Sequence, residues 1–151
     1  MSKLKVMVVE DNAIDMSVIT NALDAACIEY RAVGSSADAL QTAIDYQPSI
    51  AILDLSMPEL SGRQVRRQLH TNPLTSTIKV IFLSASNSVD DVIYGLNVHV
   101  SAYFKKGVKI GQLINSISAI DGTTNIRASV NAFASSNQRM ADKYAVICAS
   151  H

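Results

Sequence analysis

Short apolar segments alternate with stretches of helical periodicity through the first 120 residues of this chain. The apolar segments are residues 6–9, 29–33, 50–54, 80–83 and 102–104. The helical stretches that follow them are residues 13–26, 37–44, 62–70, 89–96 and 110–120. Parallel strands need long crossovers, usually helical, and right-handed crossovers place helices on both faces of the sheet. We therefore expect an α/β fold built on a five-stranded parallel sheet, doubly wound.

The length and composition are those of one domain with a proper core. The chain has 151 residues, of which 48% are hydrophobic, and 13 basic residues balance 13 acidic ones. A neutral chain has no net field to attract nucleic acid or anionic membrane. Cys27 and Cys148 form no metal-binding motif and suit a reducing compartment. The first apolar run meets Glu10 and Asp11 too soon to be a signal peptide or a membrane span, so we expect a cytoplasmic protein.

Charged or hydroxyl side chains follow four of the five predicted strands at the point where each strand ends. They are Glu10 and Asp11 after the first strand, Asp54 at the third, Ser84 at the fourth and Lys106 just past the fifth. Ligands of open α/β sheets bind outside the carboxyl ends of the strands. We therefore expect these side chains to lie at the mouth of one site.

The three acids of this set predict a cation site. Carboxylates about 4–6 Å apart repel one another by a few kcal/mol per pair at an effective dielectric of about 20, so a cation that joins them keeps them ionised. An incomplete cage of oxygen ligands suits Mg²⁺, which keeps waters and accepts phosphate oxygens. A carboxylate in such a site can attack phosphorus and form an aspartyl phosphate, while a lysine and a hydroxyl orient the phosphoryl oxygens.

Four segments of the chain, taken in order, resemble the receiver domain of two-component response regulators. They are VMVVEDN, ILDLSMPELSG, IFLSAS and AYFKKG, within a resemblance that covers residues 3–120. The acid pair, the D-x-x-M-P-x-x-x-G turn and the downstream serine and lysine carry the resemblance. It implies a flavodoxin-like receiver fold. It also implies that the protein is a phosphorylation-controlled switch, not an enzyme, and that it signals by binding a protein target.

The resemblance implies a role for each acid of the set. Asp54 is the expected phosphoacceptor, and the expected donor is a histidine kinase or a phosphotransfer protein. Glu10, Asp11 and Asp54 are the expected side-chain ligands of Mg²⁺. The backbone carbonyl of Ser56 is expected to complete the protein ligands of the metal.

Three further roles follow from the same resemblance. Ser84 is the expected switch hydroxyl, Tyr103 the rotating aromatic residue and Lys106 the phosphate-binding lysine. Lys105 competes with Lys106, but the family's spacing from the aromatic residue favours Lys106. Family members normally have a proline after this lysine, where the present chain has Gly107, so the loop is expected to be looser.

Local signals mark helix ends. Asp11 or Asn12 is a candidate N-cap of the first helix, and Ser35 or Ser36 of the second. His99 stands where the family usually has a small residue, often glycine, and we assign it no chemistry.

Residues 122–151 lie beyond the resemblance and form a predicted extension to a receiver domain of residues 1–121. Seven residues recur there at spacings of 4 and 3, namely Ile126, Val130, Phe133, Asn137, Met140, Tyr144 and Ile147. The pattern fits a helix that pairs two chains in a homodimer, with Asn137 at an a-type position. An amphipathic helix that docks on its own domain fits as well, and a disordered tail is the third alternative. This segment of some 30 residues is too short to contain a DNA-binding module.

Two other functions compete with the response-regulator interpretation. A Mg²⁺-dependent phosphohydrolase with an aspartyl-phosphate intermediate usually carries a second acid two residues after the nucleophile, where this chain has Ser56. A receiver-like scaffold that is never phosphorylated is the second competitor. The presence of all the acceptor and metal groups argues against the scaffold, and only Gly107 favours it.

Overall fold

Five strands and five helices alternate along the chain in the computed structural model, which describes residues 4–85 and 88–122. The strands are β1 (Lys5–Val9), β2 (Glu29–Val33), β3 (Ile50–Asp54), β4 (Lys79–Ser84) and β5 (Ala102–Lys105). The helices are α1 (Ala13–Ala25), α2 (Ala39–Tyr46), α3 (Gly62–Thr71), α4 (Val89–Asn97) and α5 (Ile110–Gly122), and a 3₁₀ turn, Ser36–Asp38, precedes α2. Each element begins and ends within two residues of its predicted limits.

The strands form one parallel sheet in the order β2-β1-β3-β4-β5. This confirms the predicted five-stranded, doubly wound sheet. The chain runs from β1 outward to β2 and then returns to β3 on the other side of β1, so the order of the strands reverses at β1 and β3. Val9 of β1 is the register partner of Leu53 of β3. The residues that follow this pair, Glu10 and Asp54, therefore emerge side by side at the carboxyl edge.

By its contacts the chain divides into two compact units, with the division between Val80 and Ile81. The first unit contains β1, β2 and β3 with α1, α2 and α3, and the second contains most of β4, with β5, α4 and α5. Within the described part of the chain, no helix has the length and hydropathy needed to traverse a bilayer. The boundary predicted between residues 121 and 122 stays a prediction. The heptad pattern that begins at Ile126 lies outside the described residues.

The core of the first unit is built on two strands that are buried along almost their whole length. All five residues of β3 are buried, and so are the last four residues of β1. Strands of a parallel sheet are covered on both faces, which is why their sequences are continuous apolar runs rather than alternating ones. Val65 and Leu69 of α3, one turn apart, are buried in the same unit. Full burial of each such side chain contributes about 1.5–3 kcal/mol to stability.

Helix α1 separates its apolar residues between two faces. Ile19 and Leu23, one turn apart, are buried, whereas Ile14 and Val18 are 76% and 54% exposed. Residues four apart share a helix face, so each pair occupies a face of its own. The apolar periodicity predicted this helix, and only the structure shows which of the two pairs belongs to the core.

The edge strand β2 carries charged residues that pack around Tyr46 of α2. The Tyr46 hydroxyl donates to Glu29 Oε2 at 2.8 Å, and the guanidinium of Arg31 lies 4.4 Å from the ring centroid. Burial, followed by the hydrogen bond to Glu29, raises the pKa of Tyr46 to about 12. Lys5 donates to the carbonyl oxygen of Tyr46 at 2.6 Å. Charged residues on an edge strand discourage pairing with another chain, which explains the weak alternation of this segment.

In the second unit, three aromatic rings pack between α4 and the strands β4 and β5. Phe82 of β4 is the register partner of Tyr103 of β5, and their rings meet at 84° with centroids 6.5 Å apart. Tyr94 of α4 stacks on Phe82 with a centroid distance of 6.1 Å. A Cβ atom on Gly95 would lie 3.2 Å from Val100 Cγ2 and 3.4 Å from Tyr103 Cδ2. Because Gly95 lacks a side chain, α4 packs closely on the buried ring of Tyr103.

Helix α4 ends in a Schellman motif that has His99 at its left-handed position. The His99 N–H donates to the carbonyl oxygen of Leu96, and the Val100 N–H donates to that of Gly95, each at 3.1 Å. The φ of His99 is +58°, a conformation that favours glycine. This is the position where the family usually has a small residue, often glycine. The chain therefore carries a backbone strain there that a glycine would not carry.

Candidate functional site

Three carboxylates converge at the carboxyl edge of β1 and β3. Glu10, Asp11 and Asp54 each offer an oxygen, and these oxygens all lie within 4.8 Å of one another. Glu10 and Asp54 are each 1% exposed, whereas Asp11 is exposed. At this separation each pair of charges repels by about 3–4 kcal/mol at an effective dielectric of 20. The structure thus brings together the three acids that the sequence singled out, in an arrangement that favours binding of a cation.

Local hydrogen bonds hold Glu10, the residue that follows β1. The Glu10 N–H donates to the carbonyl oxygen of Val33 at 3.1 Å, which extends the pairing of β1 with β2 by one residue. Asn12 is the N-cap of α1, because its side chain accepts a hydrogen bond from the Asp15 N–H at 2.9 Å. The Asn12 N–H donates in turn to Glu10 Oε1 at 3.1 Å. Of the two predicted capping candidates, Asn12 caps α1. The Asp11 carboxylate instead belongs to the acidic cluster.

Asp54 is held by the turn that follows it. Its Oδ1 accepts a hydrogen bond from the Ser56 N–H at 3.1 Å. The Gly62 N–H, at the start of α3, donates to the carbonyl oxygen of Leu55 at 3.2 Å. Ser61 is the N-cap of α3 and forms a capping box with Gln64. The helix therefore begins directly against the backbone that presents Asp54.

Two serines contact this turn, and the sequence did not predict it. Ser35 and Ser36 were candidate caps of α2, but neither side chain makes a capping bond. Ser35 instead donates to Glu59 Oε2 at 2.7 Å, and Ser36 Oγ accepts a hydrogen bond from the Leu60 N–H at 2.8 Å. Two adjacent serines after an edge strand read equally well as caps, so no local signal identified them as contacts of a distant loop.

The second unit contains the remaining predicted site residues. Ser84 is buried at the end of β4, and its carbonyl oxygen accepts a hydrogen bond from the Lys106 N–H at 2.7 Å. Lys105 is the register partner of Ser84, and both lysines are half-buried. Gly107 has φ +91°, whereas proline is confined to about −65°, so the usual proline could not adopt this loop conformation. The roles of Ser84, Tyr103 and Lys106 stay predictions.

The donor set of the acidic cluster fits Mg²⁺. It offers only oxygen atoms, which this hard cation prefers, and three carboxylates leave coordination positions for water and phosphate. The two buried acids fix one side of the cluster, and the exposed Asp11 leaves the other side accessible to solvent.

Comparison with known proteins agrees with the architecture of the sheet. Residues 6–118 match the response regulator receiver domain. The response regulator Rcp1 of Synechocystis sp. is 29% identical over 125 residues, which cover 77% of this chain and 85% of that protein. The phosphate regulon transcriptional regulatory protein PhoB of Pseudomonas aeruginosa is also 29% identical, over 115 residues that cover 76% of this chain. That match covers 50% of PhoB, so the chain spans about half the length of this relative.

A solved structure supports the same fold. The CheY-like receiver domain protein of Methanospirillum hungatei superposes with a TM-score of 0.74 at 19% identity, over 82% of this chain and 97% of that one. This likeness concerns the fold, and the family follows from the match over residues 6–118. The chain belongs to the response regulator receiver family, whose domains act in phosphorylation-activated, two-component signalling.

Proposed function

We propose that Asp54 accepts a phosphoryl group from a histidine kinase or a phosphotransfer protein, and that the phosphorylated chain signals by binding another protein. The observation that carries this proposal is the convergence of Asp54 with Glu10 and Asp11 within 4.8 Å at the carboxyl edge of the sheet. Receiver domains take phosphoryl groups from histidine kinases, and this chain belongs to that family. The chain's own acids therefore supply both the acceptor and its charged surroundings.

The proposed reaction is a phosphoryl transfer between a phosphohistidine and Asp54. A carboxylate oxygen of Asp54 forms the new P–O bond, the P–N bond breaks, and its electron pair leaves with the imidazole, which takes up a proton. The hydrogen bond from the Ser56 N–H to Oδ1 holds the Asp54 carboxylate in one orientation before the donor arrives. Such pre-orientation lowers the entropic cost of reaching the transition state.

Glu10, Asp11 and Asp54, with the backbone carbonyl of Ser56, are the groups that we propose hold Mg²⁺. When bound, the ion would supply positive charge that offsets the negative charge of the phosphoryl oxygens. Glu10 and Asp54 are buried, so water solvates them little. Their negative charges therefore attract a cation more strongly than exposed carboxylates would. Asp11 is exposed, so this ligand would be directly accessible to a cation from solvent.

Ser84, Lys106 and Tyr103 are proposed to respond once the phosphoryl group is in place. The Ser84 hydroxyl and the Lys106 ammonium would bind phosphoryl oxygens, and the resemblance to the family supplies these roles. Tyr103 lies buried against Phe82 in this structure, so its proposed switch runs between this buried position and an exposed one. A switch of this kind needs a phosphoryl group that stabilises one arrangement more than the other.

The proposal is tested by phosphorylating the purified protein with acetyl phosphate in the presence of Mg²⁺. Asp54→Asn removes the nucleophilic carboxylate and is expected to abolish incorporation. Asp45→Asn, at an exposed acid of α2 outside the cluster, is the matched control and should incorporate normally. Equal labelling of Asp54→Asn and the wild type would contradict the assignment. Multiple turnover of an aryl phosphate would instead support a phosphohydrolase.

A further inference from the structure

The side chain of Ser36 contacts a segment that is distant from it in sequence. Ser36 is 2% exposed at the start of the 3₁₀ turn after β2. Its Oγ accepts a hydrogen bond from the N–H of Leu60, 24 residues away, at 2.8 Å. A serine at a helix start normally accepts a bond from its own first turn, and neither Ser35 nor Ser36 does so here. The hydroxyl is therefore committed to the loop between β3 and α3.

That loop, residues 55–61, is anchored at both of its ends. At its start the Ser56 N–H donates to Asp54 Oδ1 at 3.1 Å. At its far end Ser36 holds Leu60, and the neighbouring Ser35 hydroxyl donates to Glu59 Oε2 at 2.7 Å. The stretch between these anchors carries the Ser56 carbonyl.

We infer that Ser36 is a positioning residue for the proposed Mg²⁺ site, acting through the backbone of this loop. The inference rests on the proposed function, in which the Ser56 carbonyl is a metal ligand. The Ser36 hydroxyl fixes Leu60, Leu60 limits the positions open to the preceding residues, and the position of the Ser56 carbonyl is restrained in turn. Ser36 itself is not one of the proposed metal or phosphoryl ligands.

Removing the Ser36 hydroxyl should lower the affinity for Mg²⁺ beyond any effect that it has on the stability of the fold. When a group that hydrogen-bonds to a metal ligand and orients it is removed, metal affinity typically falls by about 10–100-fold. For Ser36→Ala we expect the lower end, a loss of roughly 10-fold, because Ser56 contributes one ligand of several. Ser36→Cys keeps the same branching with a slightly larger atom that is a poor hydrogen-bond acceptor, and it should show a loss of the same kind.

The experiment is a Mg²⁺ titration of the unphosphorylated protein, monitored by the NMR shifts of its backbone amides. This readout does not depend on phosphorylation activity. Thr75→Val is the control for loss of a buried hydroxyl, because Thr75 Oγ1 donates to the Leu69 carbonyl at 2.6 Å at the other end of α3. It should retain wild-type affinity whatever its effect on stability. Ser35→Ala removes the exposed contact to Glu59 and should change affinity less than Ser36→Ala. Wild-type affinity in both Ser36 variants would overturn the inference.

A second measurement needs no substitution. If the bond between Ser36 and the Leu60 N–H is coupled to metal binding, Mg²⁺ must strengthen that bond by reciprocity. The Leu60 amide of the wild type should then exchange with solvent more slowly when Mg²⁺ is added, and an unchanged rate overturns the inference. A wild type that shows no saturable Mg²⁺ response at Glu10, Asp11 and Asp54 would instead count against the proposed function.

Discussion

Gly62 packs directly against the backbone of Asp54. A Cβ atom on Gly62 would lie 2.5 Å from the carbonyl oxygen of Asp54 and 2.9 Å from the Cα of Leu55. Both distances are shorter than van der Waals contact, and the atoms concerned belong to the main chain, which cannot swing aside. The start of α3 and the proposed phosphoacceptor are thus in contact with no room for a side chain.

Gly62→Ala should therefore displace Asp54 or α3. We expect a loss of about 1–3 kcal/mol in the free energy of unfolding, as for other overpacked sites, and slower phosphorylation by acetyl phosphate. Urea denaturation and the initial rate of incorporation measure the two effects. Gly111→Ala is the matched control, because a Cβ there meets no atom within 4 Å. In a helix that control should be neutral or stabilising by up to about 1 kcal/mol. Identical behaviour of the two variants would contradict the prediction.

Ser84 and Lys106 should be needed for the response rather than for the transfer itself. Each is expected to contribute a hydrogen bond to a charged group, worth about 1.5–3 kcal/mol. Ser84→Ala and Lys106→Ala should still incorporate phosphoryl groups, at a reduced rate, but fail to change the environment of Tyr103. Amide and tyrosine NMR shifts on addition of beryllofluoride report that change. A Lys105→Ala variant that loses the response, beside a Lys106→Ala variant that keeps it, would show that the lysine assignment is off by one residue.

Gly95→Ala should move Tyr103 away from its buried position. The added methyl would lie 3.4 Å from Tyr103 Cδ2 and 3.2 Å from Val100 Cγ2, both tight contacts with side-chain atoms. Because alanine also favours the helix by about 1 kcal/mol, the net change in stability should be small. Resonances of isotope-labelled Tyr103 should report a more exposed ring. A ring environment identical to that of the wild type would mean that Gly95 does not control this residue.

His99→Gly should be more stable than His99→Ala. Glycine adopts the observed φ of +58° without steric cost, and the gain should be about 0.5–1 kcal/mol after the greater freedom of the unfolded chain is subtracted. Cys27, with φ +58° in the same motif after α1, offers a parallel test in Cys27→Gly. His99→Ala keeps the strain and serves as the control. If His99→Gly melts no higher than His99→Ala, backbone strain at this position is not the limiting factor.

Residues 124–148 should pair two chains if their heptad pattern forms a coiled coil. The spacing from Ile126 to Ile147 predicts a buried stripe, and Asn137 favours a parallel pair in which two amides satisfy each other. Sedimentation of the full chain and of a version ending at Asp121 distinguishes the possibilities. A dimer that becomes a monomer on truncation supports pairing through this segment. If both forms sediment as monomers, the prediction of a homodimer is wrong.

The sequence by itself determined the order of the elements and the acids of the site. Burial on both faces leaves a continuous apolar run wherever a parallel strand occurs, and this signal is local, so each strand was found within two residues of its limits. The meeting of Glu10, Asp11 and Asp54 was also predictable, because strands that run parallel end at one edge. These conclusions need only the pattern of neighbouring residues and the handedness of crossovers.

Only the tertiary structure decided contacts between residues that are distant in sequence. Ser36 carried the signal of a helix cap, yet its hydroxyl bonds to Leu60, because that loop comes within reach only when β2 and β3 take their places. Gly62 was predicted to begin the third helix, but its contact with the Asp54 carbonyl depends on how α3 approaches the end of β3. Such contacts are selected by packing in three dimensions. A propensity or a period counts only neighbours along the chain, so it contains no information about them.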